Sequence, residues 1–303
     1  MKHLVSIHDM SAAEVASIVD LAVDIKSNPD AYADRLKNKT LGMIFQKSST
    51  RTRVSFQVGI YQLGGIGLFL SSRDIQLGRG EPISDTAQVL SRYVDGVMAR
   101  TFAHDDVVNL AKYGSIPVIN GLTDLLHPCQ ALADLLTIRE KLGETRGLKF
   151  AYIGDGNNMA HSLMFAASKA GMDFACGAPD GYWMDPEVVA QGQADADAAG
   201  TALLQTTDIV EAVRDADVIY TDVWASMGQE AEQKKREKDF AGFEVNSALM
   251  AHAKPTAIFM HCLPAHRGEE VSAEVCDGPQ SVIFDQAENR LHAQKAIMVQ
   301  LMG

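Results

Sequence analysis

Cysteine is scarce. Four residues, Cys129, Cys176, Cys262 and Cys276, are spread along 303 positions. None forms a CxxC pair or another spacing that a structural metal takes, which removes zinc-ribbon and disulfide-scaffold architectures. A reduced, cytoplasmic protein is the expectation. Positive charge is also in short supply: 27 Lys and Arg stand against 39 Asp and Glu, a formal net charge of -12. That balance excludes a surface built for nucleic acid or anionic lipid, without forbidding a local basic pocket. No apolar run reaches the roughly 18 residues a membrane span needs, so no membrane partner is expected. The opening stretch MKHLVSIHDMSAAEV lacks the apolar core of a signal peptide. Repeats of solenoid length and low-complexity tracts are absent.

Present instead is a pattern of short apolar runs alternating with amphipathic stretches. The runs predict strands at Leu41–Phe45, Ile66–Leu70, Gly96–Arg100, Pro117–Asn120, Lys149–Ile153, Asp173–Ala178, Val218–Val223, Ala257–His261 and Ser281–Phe284. Between them, VSFQVGIYQLGG puts Val54, Val58 and Tyr61 on one helical face, and PCQALADLLTIREKLG gathers Leu132, Leu135, Leu136 and Ile138. Strands alternating with helices imply parallel sheets covered on both faces. Four strands, a long helix and five further strands suggest two successive α/β units. The boundary falls in a helix from about Pro128 to Leu142, stopped by Gly143. A last amphipathic stretch, AENRLHAQKAIMVQLM, either folds back on the first unit or caps the second. In open α/β sheets ligands bind beyond the carboxyl ends of strands, so residues just after strands carry the functional argument.

Seen that way, FQKSSTRTRVSF is a strand, a hydroxyl-rich turn and a helix start, with Ser49 as N-cap. Free N–H groups and the positive end of the helix dipole favour an anion there, and Arg51 adds bidentate donors suited to phosphate. The alternative is a solvated helix start with two surface arginines. The P-loop glycines and lysine are missing, so nucleotide hydrolysis is not supported. Arg100 ends a strand, and His127 precedes Pro128, which suits a first helical position. His127 is positioned to donate to a developing oxyanion, with the Gln130 amide one turn on. Singly, each also reads as a salt-bridge or capping residue. LKFAYIGDGNNMAHS carries a Gly-x-Gly turn after a strand, which raises an NAD-dependent dehydrogenase as a second class. Its third fingerprint position holds Met159, and no clear ribose-binding acid ends the next strand, so that signal is weak. Asp222 lies near a strand end and suits an ammonium group. Cys262 follows another strand and is either an inert core thiol or a substrate contact. Arg51, Arg100, His127 and Gln130 thus make an anion pocket in the first unit, and Asn158, Asp222 and Cys262 an amine-and-carboxylate pocket in the second. An anionic donor beside an amino-acid acceptor suggests a group transferase.

SSTRTR, HPCQ, DVWASMG and HCLPAHRG resemble, in order and spacing, the signature segments of the ornithine carbamoyltransferases. DIQLGRGEPISDTA, GDGNN and FDQAENRLHAQKA also match, so the resemblance runs over essentially the whole chain. It implies transfer of the carbamoyl group from carbamoyl phosphate to the side-chain amine of L-ornithine, giving L-citrulline and phosphate. The implied architecture is two doubly wound domains, each a parallel sheet flanked by helices, joined by a long helix. A carbamoyl phosphate-binding domain would span residues 1–134 and an ornithine-binding domain residues 135–285, with a C-terminal helix, 286–303, returning to the first domain.

The same resemblance assigns site residues. Ser49, Thr50, Arg51 and Thr52 would hold the phosphate. Arg100, His127 and the Thr52 hydroxyl would polarise the carbonyl, and Arg290 would reach the donor. Gln130 and the backbone carbonyls of Cys262 and Leu263 would orient the carbamoyl NH2. Asp222 would bind the ornithine α-ammonium, Asn158 with Ser226 and Met227 its α-carboxylate, and Cys262 would lie near its side-chain amine. Gln76 would enter a neighbouring subunit's site, implying a homotrimer with shared active sites, or a higher assembly of trimers. The Leu263–Pro264 bond would be cis. No metal and no organic cofactor is implied. A catalytically silent binding paralogue is a third class, against which the intact set Arg51, Arg100, His127, Asp222 and Cys262 counts. Arg53 has no assigned role beyond support of the site or a salt bridge.

Overall fold

The computed structural model describes residues 1–72, 80–225 and 230–303. The chain divides into two compact units, Met1–Leu136 with Glu288–Gly303, and Thr137–Ala287.

The first unit opens with helix α1 (Ala12–Ser27), started by a capping box in which Ser11 and Glu14 satisfy each other's backbone N–H groups. Then follow β1 (Thr40–Phe45), α2 (Thr50–Gln62), β2 (Ile66–Ser71), α3 (Ile83–Leu90), β3 (Gly96–Arg100), α4 (His104–Tyr113), β4 (Val118–Leu122) and α5 (Pro128–Leu142). All neighbouring strands run parallel in the order β2-β1-β3-β4. Ile44, Val97, Ala99 and Val118 of the sheet pack with Ala87 of α3 and Val107 and Leu110 of α4. The four apolar residues expected to form the α5 stripe are all buried.

The second unit continues with β5 (Lys149–Ile153), α6 (Asn158–Lys169), β6 (Asp173–Gly177), α7 (Pro186–Ala199), β7 (Leu203–Thr206), α8 (Ile209–Val213), β8 (Val218–Thr221), α9 (Gln233–Asp239), α10 (Ser247–Met250), β9 (Ile258–His261), α11 (Ala273–Cys276) and the start of α12 (Ile283–Met302). Its sheet is again all parallel, in the order β7-β6-β5-β8-β9. Aromatic contacts run across it, Phe150 lying 5.8 Å from both Phe174 and Tyr220, and Tyr152 6.1 Å from Tyr220.

Both units are therefore doubly wound parallel sheets, and the C-terminal helix packs back on the first. Lys295 of α12 donates to Gln62 at 3.1 Å, Lys26 of α1 donates to Asn289 at 2.8 Å, and a Cβ on Gly59 would stand 3.0 Å from Met298. Of the two alternatives open for the last stretch, the return to the first unit is the one adopted.

Three expectations need correction. Ser281–Phe284 is not a strand: Ser281 makes a single bridge to Phe259, and α12 already begins at Ile283. The strand that was missed is β7, an edge strand of four half-buried residues whose Gln205 and Thr206 break the apolar run. Val218–Val223 shortens to Val218–Thr221, which makes Asp222 the first residue past the strand. The shared face of Val54, Val58 and Tyr61 exists, but α2 turns Thr52, Phe56, Gly59 and Ile60 inward and leaves Val54 and Tyr61 exposed.

Candidate active site

Each sheet has one topological switch point, where successive crossovers leave a strand in opposite directions. In the first it lies between β1 and β3, in the second between β5 and β8. Crevices at such points are the binding sites of open α/β sheets. The β1–α2 turn and Arg100 flank one of them; the β5–α6 turn and Asp222 flank the other.

In the first unit Ser49 caps α2, its hydroxyl accepting the Thr52 N–H at 3.2 Å. The first turn of α2 contains two arginines and no acid. Cations at a helix N-terminus oppose the dipole, so this end is electrostatically incomplete without an anion. Arg51 is exposed at this helix start, while Arg53 stacks on Phe69 of β2, its guanidinium 3.8 Å from the ring centroid. That contact supplies the role the sequence left open for Arg53.

Beneath the turn, Arg290 from α12 is almost wholly buried and donates to Gln130 Oε1 at 2.6 Å and to Thr52 Oγ1 at 3.1 Å. Gln130 in turn donates to the buried Asp134 at 2.8 Å. Thr52, Gln130, Arg290 and Asp134 therefore form one hydrogen-bonded chain across α2, α5 and α12. Asp134 was not anticipated, although its i+4 relation to Gln130 on α5 was readable. His127 is buried, and its pKa lies well below the ordinary histidine value, first through burial and then through Arg290, Arg100 and Arg51. It is a neutral imidazole, able to donate one N–H without adding charge. Ser49, Arg51, Thr52, Arg100, His127, Gln130 and Arg290 are thus brought to one rim, with Thr50 as the first residue of α2. Gln76 lies outside the described residues.

In the second unit Asp222 is buried and surrounded by donors. Its Oδ1 accepts Val223 N–H at 2.8 Å and the Cys262 thiol at 3.0 Å, and its Oδ2 accepts from Asn157 Nδ2 at 3.1 Å. Asn157 is the N-cap of α6, its Oδ1 accepting the N–H groups of Met159 and Ala160. Asn158, the residue assigned from the sequence, is the first residue of α6, and the side chain of the preceding Asn157 holds Asp222. An Asn at an N-cap position was the available signal.

The Gly-x-Gly turn has a packing explanation. A Cβ on Gly156 would stand 2.2 Å from Met184 N and 2.3 Å from Trp183 C, so backbone approaches where a side chain would sit. Gly156 N–H donates to Tyr182 O at 2.8 Å. Beside it, Arg236 of α9 donates through Nη1 to Asp155 and to the Trp224 carbonyl, both at 2.7 Å, tying the two turns of this switch point. Burial raises the Asp155 carboxyl above its ordinary value, against the pull of Arg236.

Cys262 is half-buried, whereas Cys129 and Cys176 are fully buried with thiols pushed up to about 12. The Leu263–Pro264 bond is cis, and Leu263 has φ 60°. Donor atoms of Asp222, His261 and Cys262 lie within 4.8 Å of one another, a spacing metals accept. Both His261 nitrogens are engaged, however, Nδ1 accepting Leu263 N–H at 2.8 Å and Nε2 facing Glu270 at 3.2 Å. The donor set is satisfied within the protein and does not fit a resident metal. Ser226 and Met227 lie outside the described residues.

These two sites, one in each unit, suit an anionic donor and an amine-bearing acceptor. The family profile for the aspartate/ornithine carbamoyltransferase carbamoyl-P binding domain matches residues 2–140, and that for the Asp/Orn binding domain matches residues 146–301. The chain belongs to the aspartate/ornithine carbamoyltransferase family. It is 60% identical over 304 residues to an ornithine carbamoyltransferase of Oceanobacillus iheyensis, covering 100% of this chain and 94% of that one. It is 63% identical to one of Thermococcus kodakarensis, covering 88% and 85%. The solved ornithine carbamoyltransferase of Pyrococcus furiosus superposes with a TM-score of 0.96 at 55% identity, covering 100% and 97%.

Proposed function

We propose that the chain transfers the carbamoyl group of carbamoyl phosphate to the side-chain amine of L-ornithine, releasing L-citrulline and phosphate. Asp222 is the observation that carries the acceptor: a buried carboxylate at a strand end, held in place by three donors, is positioned to receive an α-ammonium. An aspartate acceptor would require cationic groups at this place.

In this reading the α2 N-terminus with Ser49, Thr50, Arg51 and Thr52 holds the phosphate. Arg100, His127 and the Thr52 hydroxyl polarise the carbonyl, with Arg290 set against Thr52 and Gln130. Gln130 and the carbonyls of Cys262 and Leu263 orient the carbamoyl NH2. Asn158, Ser226 and Met227 receive the ornithine carboxylate, and Gln76 completes the donor site. The ornithine side-chain amine attacks as the free base, so its lysine-like pKa must fall; neighbouring guanidiniums and desolvation act in that direction. Its lone pair forms the new C–N bond and the carbonyl π electrons move to oxygen. The oxyanion is met by Arg100 and by an N–H of the neutral His127. Collapse breaks the C–O bond to phosphate, which leaves with the electron pair, and the attacking nitrogen sheds one proton. Positioning and electrostatic stabilisation supply the rate.

A homotrimer, or an assembly of trimers, with Gln76 serving a neighbouring site, fits the outward surface of the first unit. The β2 edge strand exposes Ile66, Leu68 and Phe69, and α2 exposes Val54 and Tyr61, apolar area that a lone chain leaves in water. A cytoplasmic location accords with four free cysteines. No helix among the described residues is long and apolar enough to cross a membrane.

The decisive experiment is citrulline formation with carbamoyl phosphate against ornithine, putrescine, N-acetylornithine and aspartate. Ornithine should be used with the highest kcat/KM. Preference for any other amine overturns the acceptor assignment.

A further inference from the structure

Leu263 is held in an unusual place: a branched non-glycine residue at φ 60°. The left-handed region is costly for such a side chain and persists only where surroundings over-determine it, typically at ligand clamps. What over-determines it is a buried pair. Leu263 N–H donates to His261 Nδ1 at 2.8 Å, so Nδ1 carries a lone pair and the ring proton sits on Nε2. That proton faces Glu270 Oε1 at 3.2 Å. The same carboxylate oxygen accepts His266 N–H at 2.5 Å, so one atom ties the entry and exit of the turn. Both side chains have 0% exposure. The strand end is anchored in turn, His261 N–H donating to Gln286 at 2.9 Å and Gln286 donating to Tyr220 at 3.1 Å.

We infer that His261 and Glu270 are positioning residues for carbamoyl transfer, locking the Cys262–Leu263–Pro264 turn so that its backbone carbonyls and the Cys262 thiol face substrate. The inference rests on the reading of Cys262 and Leu263 as the groups that orient the carbamoyl NH2. Neither positioning side chain is exposed toward a ligand; each acts through the turn. Glu270 selects the tautomer. With the ring proton on Nδ1 instead, two donors would oppose each other across the 2.8 Å contact, and the Leu263 N–H would lose its acceptor. An apolar pair of equal volume would pack as well and leave the turn unspecified.

His261→Leu removes the acceptor, and His261→Asn restores an oxygen near the position of Nδ1. The first readout is the rate at which iodoacetamide alkylates Cys262 in the substrate-free full chain. The buried Cys129 and Cys176, with thiols pushed up to about 12, and the buried Cys276 stay slow. The second is kcat/KM for carbamoyl phosphate, with melting curves to establish folding. His261→Leu should speed Cys262 alkylation several-fold and lower kcat/KM by roughly 10- to 100-fold, the scale of one lost buried hydrogen-bond partner. His261→Asn should recover most of both. Should His261→Leu fail to fold, Glu270→Gln, which keeps an oxygen for His266 N–H, should shift both readouts the same way by less. Unchanged alkylation in the folded variants, or an Asn variant as impaired as the Leu variant, overturns the inference. Faster alkylation reversed by Asn, with carbamoyl phosphate kinetics untouched, leaves the lock standing and removes the carbamoyl-orienting role of the turn.

Discussion

Replacing Asp222 by Asn changes one atom and removes one charge. Three donors converge on the native carboxylate: Val223 N–H at 2.8 Å, the Cys262 thiol at 3.0 Å and Asn157 Nδ2 at 3.1 Å. An amide must turn its NH2 toward one of these whichever way it faces. A buried donor left without an acceptor costs about 1–3 kcal/mol, so the variant should fold and melt a few degrees lower. The larger effect falls on the acceptor. Losing one partner of a desolvated charge pair costs about 2–5 kcal/mol, or roughly 30- to 5,000-fold in kcat/KM for ornithine. The assay is steady-state citrulline formation with each substrate varied in turn at saturating levels of the other. The KM for carbamoyl phosphate should stay within about threefold of wild type, because the change is confined to the acceptor side. Ornithine kcat/KM within about threefold of wild type, in a variant that melts cooperatively, would refute the ammonium-binding role.

Arg51→Ala should weaken carbamoyl phosphate use by roughly 2–5 kcal/mol while sparing stability, since Arg51 is exposed; unaltered KM and kcat for the donor would remove the phosphate clamp. His127 has a folded pKa below its unfolded value, so below about pH 6.5 the unfolded chain binds the extra proton. Its contribution is therefore complete above that pH and is lost as pH falls toward the depressed folded value. Urea-unfolding free energies of wild type and His127→Gln between pH 7.5 and 5 should show the shallower acid decline in the variant, and parallel slopes would contradict a buried neutral imidazole. Gly156→Ala should destabilise by about 1–3 kcal/mol and raise the ornithine KM, because its Cβ would meet the backbone of Trp183 and Met184; a wild-type melting temperature would show that this segment yields.

Much of the fold was readable because buried parallel strands are continuous apolar runs. β1, β3 and β5 are such runs, and each was placed within a residue of its observed limits. β7 escaped because an edge strand is covered less, so its Gln205 and Thr206 carry no apolar signature. SVIF misled in the opposite way: its apolar residues serve the first turn of α12 and one bridge to Phe259. At the site, Ser49 as N-cap and Pro128 at the start of α5 were legible because caps are local. The hold of Asn157 on Asp222 was not, since it needs the direction of a side chain toward a residue 65 positions away.

The residues themselves determined where charge and conformational freedom would lie: two arginines at a capped helix start, an acid near a strand end, a histidine before a proline. Those features depend on neighbours a few positions away, which one sequence contains. Tertiary structure decided what each charge meets. Arg53 turns to Phe69, while Arg290 reaches Gln130 from 160 positions away and Thr52 from 238. It also decided strand order, and so which turns share a crevice, because pairing between distant strands is selected by packing of both faces and not by any local preference.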